Sequence, residues 1–400
     1  MRARLLPLLL VCVVAVGVPP AAPAAEPLGV TPKLTKALRS PFISTGRTAA
    51  LAVSLQTGQV LFAQNESLPV LPASNEKLPV SWAALVQLGP AFRFHTDVVG
   101  TGALRGSTWD GNLVLKGFGD PTLTTTDLDR LAARVRAVGI RKVTGRVLGD
   151  ESFFDERRAA PGWKRGFLGL ESPPLSALIV DRAKGWPRLS PPLLAAREFR
   201  AALVQRGVAV FGRPGVGTAP DGGQAIARDH SVRLQTLIHR MNRDSDNFYA
   251  EMLLKQLGTL DGRVGTSARG GQTVISTMEE AGIPVEGVRI VDGSGLSRLD
   301  RLTAAALVGV LRAGFTDPRI GRAFVDSLAV AARNGTLENR LWNLRGVVKG
   351  KTGTTNLACT LSGYVGSSTV FAVLQNGAPV ASWAARAAQD RFVTVLAAAG

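Results

Sequence analysis

The sequence predicts a mixed α/β (α+β) fold, in which an antiparallel sheet is flanked by helices and carries an inserted, β-containing accessory domain. Strand-like segments lie near both ends of the chain, and helical segments dominate from about residue 232 to residue 313. Between residues 97 and 228, short β-like runs alternate with a helical run and proline-rich connections. We therefore expect the two ends of the chain to share one sheet and the middle region to be an insertion.

The N-terminal part is predicted to contribute a β-hairpin and a helix. Residues 48–56 and 59–64 are strand-like runs separated by a Thr-Gly turn, which is the pattern of a hairpin. A helical stretch follows from Ser74 to about residue 88. The apolar residues on one face of this stretch are Leu78, Trp82 and Leu85.

The middle region mixes short strands with one helix. Residues 113–116 and 143–148 are β-like, and residues 127–138 are helical. The pairs Pro173-Pro174 and Pro191-Pro192 predict connections between elements.

The last part of the chain predicts a block of helices, a second group of strands and a closing amphipathic helix that covers one face of the sheet. The expected helices span residues 232–242, 247–257, 271–281, 303–313 and 383–396. The expected strands span residues 347–352, 361–365 and 369–374.

The N-terminus has the pattern of a secretory signal peptide. Arg2 and Arg4 form a short basic region, residues 5–18 are continuously apolar, and small residues follow at 21–25. The apolar run is short for a membrane span, so we expect cleavage, with an uncleaved anchor as the alternative. These features predict an exported, extracytoplasmic protein, in the cell wall or secreted, with no stable membrane span after cleavage.

The chain is long enough for two domains, since it has 400 residues. We expect a signal peptide at residues 1–25, followed by a catalytic domain that combines residues 26–96 with residues 229–400. The inserted accessory domain is expected to span residues 97–228.

The composition is that of a basic globular protein, with 46% apolar residues and a formal net charge of +17. A basic surface attracts nucleic acid or anionic cell-wall polymers. The sequence has no zinc-finger spacing, no RNP-like motif and no Lys/Arg-rich tail, so nucleic acid is not expected as a partner. His95, His230 and His239 are scattered without metal-ligand spacing, and we expect no metal and no cofactor.

Three short motifs occur in one order along the chain: SxxK at Ser74–Lys77, SDN at Ser245–Asn247 and KTG at Lys351–Gly353. This trio is typical of class A β-lactamases and penicillin-binding proteins. Each motif alone has a simpler explanation, namely a solvated helix face, a helix N-cap and a strand end. Their joint occurrence in this order favours one active site.

The motifs supply a serine nucleophile and a lysine base. Ser74 and Lys77 are three residues apart, so they lie on one face of a helix, and Lys77 can deprotonate Ser74 if its pKa is depressed by burial or by another cation. Lys351 is a candidate for that cation, and Ser245 is a candidate proton relay. Asn247 is expected to hydrogen-bond a substrate amide.

The KTG segment predicts the edge of a strand on which a substrate peptide can lie. Gly353 has no side chain and allows close approach of the substrate. The Thr352 and Thr354 hydroxyls, together with the Lys351 ammonium, suit a substrate carboxylate. The backbone N–H groups of Ser74 and Thr354 are candidates for an oxyanion hole.

The chain resembles the class C penicillin-binding proteins, the D-alanyl-D-alanine carboxypeptidase/endopeptidase family of penicillin-binding protein 4 type. Beyond the three motifs, four segments resemble family signatures. These segments are residues 117–123 (GFGDPTL), 150–155 (DESFFD), 292–298 (DGSGLSR) and 335–337 (GTL).

The resemblance implies a penicillin-recognising transpeptidase/β-lactamase-like domain with an accessory domain inserted between SxxK and SDN. It implies an exported serine carboxypeptidase that acts on peptidoglycan stem peptides through a Ser74 acyl-enzyme. Cleavage of peptidoglycan cross-links is a further activity that the resemblance implies. It also implies that β-lactams are covalent inhibitors. The chain departs from the pattern of the family in one respect. Few residues separate 177–179 from 195–196, so the subdomain that other members nest inside the insertion is missing or reduced.

Two other functions are weighed against this one. The first is a β-lactamase or esterase on the same scaffold. A class A β-lactamase needs a glutamate that activates the deacylating water, and no E-x-x-L-N pattern lies between the second and third motifs. A catalytically idle cell-wall binding protein would be free to lose the site residues, yet all are present. These residues are Ser74, Lys77, Ser245, Asn247 and Lys351.

Overall fold

The structure is a computed structural model of the chain, and it describes residues 30–184 and 186–399. The predicted signal peptide, residues 1–25, lies outside the described residues.

The helices are α1 (Val30–Leu38), α2 (Lys77–Leu88), α3 (Thr125–Ala137), α4 (Pro191–Gln205), α5 (Leu234–Asp244), α6 (Asn247–Leu257), α7 (Ser267–Glu280), α8 (Ala304–Thr316), α9 (Gly321–Val325) and α10 (Ser382–Ala399). The strands are β1 (Thr48–Ser54), β2 (Val60–Gln64), β3 (His95–Arg105), β4 (Thr108–Gly117), β5 (Lys142–Val143), β6 (Val147–Asp150), β7 (Ala209–Val210), β8 (Gly215–Val216), β9 (Gln224–His230), β10 (Ala329–Val330), β11 (Val348–Thr354), β12 (Ala358–Val365) and β13 (Thr369–Asn376).

The main sheet joins the two ends of the chain. Its strand order is β10-β11-β12-β13-β1-β2, and all neighbouring strands are antiparallel. The N-terminal strand β1 pairs with β13 from Thr48 opposite Gln375 to Ser54 opposite Thr369. The expectation that both ends share one antiparallel sheet is therefore confirmed.

Helices cover both faces of this sheet. Helices α1 and α10 pack together on one face, and α8 lies on the other face with α2 behind it. Strands β1, β12 and β13 are buried along nearly their whole length, as expected for strands with both faces covered. The closing helix α10 covers a sheet face, as the sequence predicted. In the part of the chain that the structure describes, no helix combines the length and apolar character needed to cross a bilayer.

A second sheet is built from the middle region. Its strand order is β7-β5-β4-β3-β9, and β6 extends it by pairing with β4 and β8. Helices α3 and α4 pack together, and their apolar side chains form a separate core with this sheet. The exact domain boundaries proposed from the sequence, after residues 96 and 228, stay predictions.

One sequence expectation was wrong. Pro191 and Pro192 were expected in a connection, but they begin helix α4, which runs to Gln205. Proline is well suited to the first turn of a helix, because the N–H that it lacks would have no partner there and its φ is already helical. The proline pair therefore marks a helix start.

Candidate active site

Ser74 lies in a tight 3₁₀ turn, Ala73–Glu76, that leads directly into α2. Ala73 has φ 46°, in the left-handed region that side chains disfavour. The turn presses against β11: a Cβ on Gly353 would lie 2.8 Å from the Ser74 backbone nitrogen and 2.4 Å from Thr360 Oγ1. Glycine at position 353 is therefore required for packing the Ser74 turn on β11, a reason that the sequence did not suggest.

Lys77 is fully buried and faces three oxygen acceptors. Its Nζ lies 3.1 Å from Ser74 Oγ, 2.8 Å from Asn247 Oδ1 and 2.7 Å from the backbone oxygen of Ser294. Burial lowers the pKa of Lys77 to about 8, although nearby carboxylates, Asp292 first among them, act in the opposite direction. A substantial fraction of the amine is therefore neutral near physiological pH and able to accept a proton from Ser74.

Ser245 and Lys351 form a second serine–lysine pair. Lys351 Nζ lies 2.9 Å from Ser245 Oγ and 2.9 Å from the backbone oxygen of Thr352. Ser245 ends α5 in the left-handed conformation, with φ 63° and ψ 38°. Lys351 is fully buried in β11, and this burial, reinforced by the charge of Lys77, holds the pKa of Lys351 well below its usual range.

The rest of the SDN motif organises the start of α6. Asp246 is the N-cap of this helix and accepts a hydrogen bond of 3.0 Å from the Tyr249 N–H, so the capping interpretation also holds. Asn247 accepts from Lys77 through Oδ1 and donates through Nδ2 to the backbone oxygen of Glu171 at 3.1 Å. A residue of the middle region thus borders the Ser74 site.

An open cleft of about 580 Å³ lies over these groups. Its lining includes the predicted residues Ser74, Ser245, Asn247, Thr352, Gly353 and Thr354. Lys77 and Lys351 lie buried behind the cleft, where Lys77 is hydrogen-bonded to Ser74 and Lys351 to Ser245. The structure therefore brings all eight predicted site residues together.

One wall of the cleft is the end of strand β11. On one side, β12 pairs with β11 through Thr354. On the other side, β10 pairs with β11 at Lys349 and Gly350, and within the described residues the ladder on this side ends there. The backbone from Lys351 to Thr354 therefore presents a strand edge next to the cleft.

Two contacts at the site were missed from the sequence. Segment 292–298 was identified only as resembling a family signature, with no contact assigned to it, yet the Ser294 carbonyl is an acceptor for Lys77. Arg386 of α10 lines the cleft and donates to Thr354 Oγ1 at 3.4 Å. A lone arginine on an amphipathic helix carries no local signal of such a role.

Comparisons with known proteins agree with this geometry. The pattern of the D-Ala-D-Ala carboxypeptidase 3 (S13) family matches residues 30–192 and 188–399. Carboxypeptidase DacB of Mycolicibacterium smegmatis is 31% identical over 413 residues, which cover 95% of this chain and 86% of the relative. A D-alanyl-D-alanine carboxypeptidase of an Actinomadura species is 28% identical, with coverage of 85% and 79%.

The fold matches a solved structure closely. The crystal structure of penicillin binding protein 4 from Haemophilus influenzae superposes with a TM-score of 0.80 at 22% identity, covering 92% of this chain and 98% of that one. The predicted fold class and the family resemblance are thereby confirmed. The chain belongs to the D-Ala-D-Ala carboxypeptidase 3 (S13) family and is a serine peptidase of that family.

Proposed function

We propose that this D-Ala-D-Ala carboxypeptidase uses Ser74 as its nucleophile and peptidoglycan stem peptides as its substrates. The observation that carries the proposal is the contact of 3.1 Å between Ser74 Oγ and the buried Lys77 Nζ. A serine hydroxyl needs a base to become nucleophilic, and a lysine with a pKa of about 8 is such a base.

In the acylation step, Ser74 Oγ attacks the carbonyl carbon between two D-alanines while neutral Lys77 takes the hydroxyl proton. The oxygen of that carbonyl becomes an oxyanion. The backbone N–H groups of Ser74 and Thr354 are assigned to it as donors, since both residues line the cleft.

The tetrahedral intermediate then expels the terminal D-alanine, whose nitrogen needs a proton. Ser245 is assigned to deliver it, because its hydroxyl faces the cleft and lies in hydrogen-bond contact with Lys351 Nζ at 2.9 Å. The proton that Lys77 took from Ser74 is proposed to pass back to the Ser245–Lys351 pair and to replace the one that Ser245 gives away, so that acylation leaves both lysines in the protonation states in which they began. Water afterwards hydrolyses the ester on Ser74, which releases the shortened stem peptide and restores the hydroxyl.

The substrate is proposed to lie along the exposed edge of β11. An extended peptide can pair its backbone with such an edge, as an added strand does. Asn247 would bind a substrate amide from the opposite wall. The Thr352 and Thr354 hydroxyls, with Arg386 beside Thr354, would receive the terminal carboxylate.

Three parts of the sequence interpretation complete the proposal. Export through a signal peptide at residues 1–25 would place the enzyme beside its polymer. The full chain has a net charge of +17, which falls by only two when Arg2 and Arg4 are removed with the signal peptide, and a positive charge of this size favours anionic wall material. Residues 97–228 would form an accessory domain that reaches the cleft through Glu171. β-Lactams would acylate Ser74; a β-lactam complex is known for the Haemophilus influenzae penicillin binding protein 4.

Labelling with a fluorescent penicillin tests the nucleophile. Wild-type protein should be labelled on the peptide that contains Ser74, and Ser74→Ala should abolish labelling. Ser67→Ala changes an exposed serine outside the cleft and serves as the control. Labelling that persists in Ser74→Ala would sink the assignment.

Release of D-alanine from diacetyl-Lys-D-Ala-D-Ala tests the reaction. Rapid turnover of β-lactams without D-alanine release would instead support a β-lactamase or esterase, and no reaction with either compound would support an idle wall-binding protein. Digestion of purified peptidoglycan, with the products identified by mass, would show whether cross-links are cleaved as well.

A further inference from the structure

A turn of the chain lies directly behind Lys77 and is held by buried carboxyl groups. This turn comprises residues Asp292–Ser297 and is called here the 292–297 turn. Asp292 accepts from the backbone N–H groups of Gly295 at 2.7 Å and Ser297 at 2.9 Å. Asp292 is fully buried, as is Glu251 of helix α6. None of these carboxyl groups has a role in the proposed mechanism.

Glu251 holds the part of the turn that contacts the base. Its Oε1 accepts from the Ser294 N–H at 2.9 Å and from the Gly293 N–H at 3.1 Å, and its Oε2 lies 3.1 Å from the same Gly293 nitrogen. The turn packs tightly on α6, because a Cβ at Gly293 would lie 2.4 Å from the backbone oxygen of Ala250. With its N–H groups fixed in this way, the Ser294 residue presents its carbonyl oxygen to Lys77 Nζ at 2.7 Å.

The position of Glu251 on its helix connects it to the active site a second time. Asn247 and Glu251 are four residues apart on α6 and therefore lie on the same face. Asn247 contacts Lys77 directly through Oδ1, whereas Glu251 contacts the turn whose carbonyl is the other acceptor. One helix face thus determines where both acceptors lie.

The two acceptors decide how the neutral amine is oriented. A neutral lysine amine has two hydrogens and one lone pair, in contrast to the three hydrogens of the ammonium. Asn247 Oδ1 and the Ser294 carbonyl accept hydrogen bonds and do not donate, so each takes one hydrogen. The lone pair is then left facing Ser74 Oγ, which is the orientation that proton abstraction requires.

We propose that Glu251 is a positioning residue for Lys77: by holding the Gly293–Ser294 peptide, it fixes the acceptor that aims the lone pair of the amine at Ser74. This inference rests on the proposed role of Lys77 as the base. Glu251 touches neither substrate nor Ser74, and it acts through the Ser294 carbonyl.

The charge of Glu251 can be separated from its hydrogen bonding. Burial, reinforced by Asp292, raises the pKa of Glu251 to about 8, so at neutral pH its protonated form has the same charge as glutamine. In Glu251→Gln, the remaining carbonyl oxygen can accept from both N–H groups, as Oε1 does now. The other ionisable groups that influence the pKa of Lys77 are Glu76, Asp246 and Asp292, and the charge of Lys77 in turn lowers the pKa of Lys351.

The test compares Glu251→Ala with Glu251→Gln. The second-order rate of acylation by a fluorescent penicillin is measured from pH 6 to pH 10, normalised to folded protein, together with the melting temperature. Glu251→Ala should lower the rate by about tenfold to a hundredfold, the range expected when a catalytic group is misplaced by up to 1 Å, and should move the pH midpoint. Glu251→Gln should keep the rate close to that of the wild type.

Asp150→Ala is the matched control, because Asp150 is also a buried acid that accepts loop N–H groups, those of Ser152 and Ala219, both at 2.8 Å. It should lower the melting temperature and leave the acylation rate of the folded protein unchanged.

A wild-type rate and pH profile in Glu251→Ala would overturn the inference, as would a Glu251→Gln variant as slow as Glu251→Ala. If Glu251→Ala does not fold, Glu251→Asp replaces it, since its side chain is one methylene too short to keep both bonds, and the same outcomes decide. Lys77→Ala is measured in parallel. If Lys77→Ala is still acylated at the wild-type rate, Lys77 is not the base, and both the proposed function and this inference fail. If Lys77→Ala is not acylated but Glu251→Ala is acylated at the wild-type rate, only this inference is refuted.

Discussion

Acylation of Ser74 should increase with pH, pass a midpoint near pH 8 and then level off, because only neutral Lys77 can take the serine proton. Burial lowers the pKa of Lys77 from 10.5 to about 8. A lysine with a lowered pKa loses its proton at lower pH, so its neutral form is gained as the pH rises. At pH 7 the neutral fraction is about 0.1, compared with about 0.0003 for a lysine with an ordinary pKa.

The magnitude follows from these fractions. Between pH 7 and pH 9 the neutral fraction should rise from about 0.09 to about 0.91, so the acylation rate should rise about tenfold and change little above pH 9. The rate is measured by stopped-flow fluorescence with a penicillin label from pH 6 to pH 10, and the melting temperature is recorded at each pH to confirm that the protein stays folded. A rate that climbs tenfold per pH unit up to pH 10, or one that is independent of pH, would refute a base whose pKa is set by burial.

Two further substitutions probe the walls of the cleft. Gly353→Ala should destabilise the fold by about 1–3 kcal/mol, the usual cost of overpacking, and should also slow acylation. Both effects are expected because the new Cβ would lie 2.8 Å from the Ser74 nitrogen. Urea unfolding measures the loss of stability, and penicillin labelling measures the rate of acylation. Gly166→Ala, at a position with nothing within 4 Å, should change neither, and equal behaviour of the two variants would count against the packing argument. Arg386→Ala should lower kcat/KM for a peptide with a free C-terminal carboxylate by about tenfold to a hundredfold, the worth of a hydrogen bond to a charged group, and should leave the corresponding carboxamide peptide unaffected. Arg391→Ala on the same helix should behave as the wild type, and equal losses on both peptides in Arg386→Ala would exclude carboxylate binding.

Much of the fold could be predicted from local patterns. The hairpin of β1 and β2, helix α6 and the strands β11 to β13 were expected close to their observed positions, because alternation, turns and helical spacing are local properties of the sequence. Helix α4 was missed, because its opening proline pair resembles a connection when it is considered without its surroundings. The sequence resemblance, in turn, predicted the family that the comparisons show.

The active site could likewise be predicted from the sequence only in part. The trio of motifs was sufficient to select the two serine–lysine pairs and Asn247, but not other residues of the cleft lining such as Glu171 and Arg386. The Ser74–Lys77 spacing already placed those two groups one helical turn apart. The sequence suggested a role for Ser245 as a proton relay and for Lys351 as a cation, but not that the two side chains contact each other. Their contact requires the left-handed residue at the end of α5 to lie beside strand β11, which is far along the chain.

The sequence by itself determined which chemical groups are present, namely two serines, two lysines and an amide, and the local elements that carry them. Only the tertiary structure decided how those groups behave. The pKa of Lys77 is low because the folded chain removes this residue from water, and its lone pair is directed by the Ser294 carbonyl, which is more than two hundred residues away along the chain. Burial and contacts between distant segments arise from the packing of the whole fold, so no local pattern of residues encodes them.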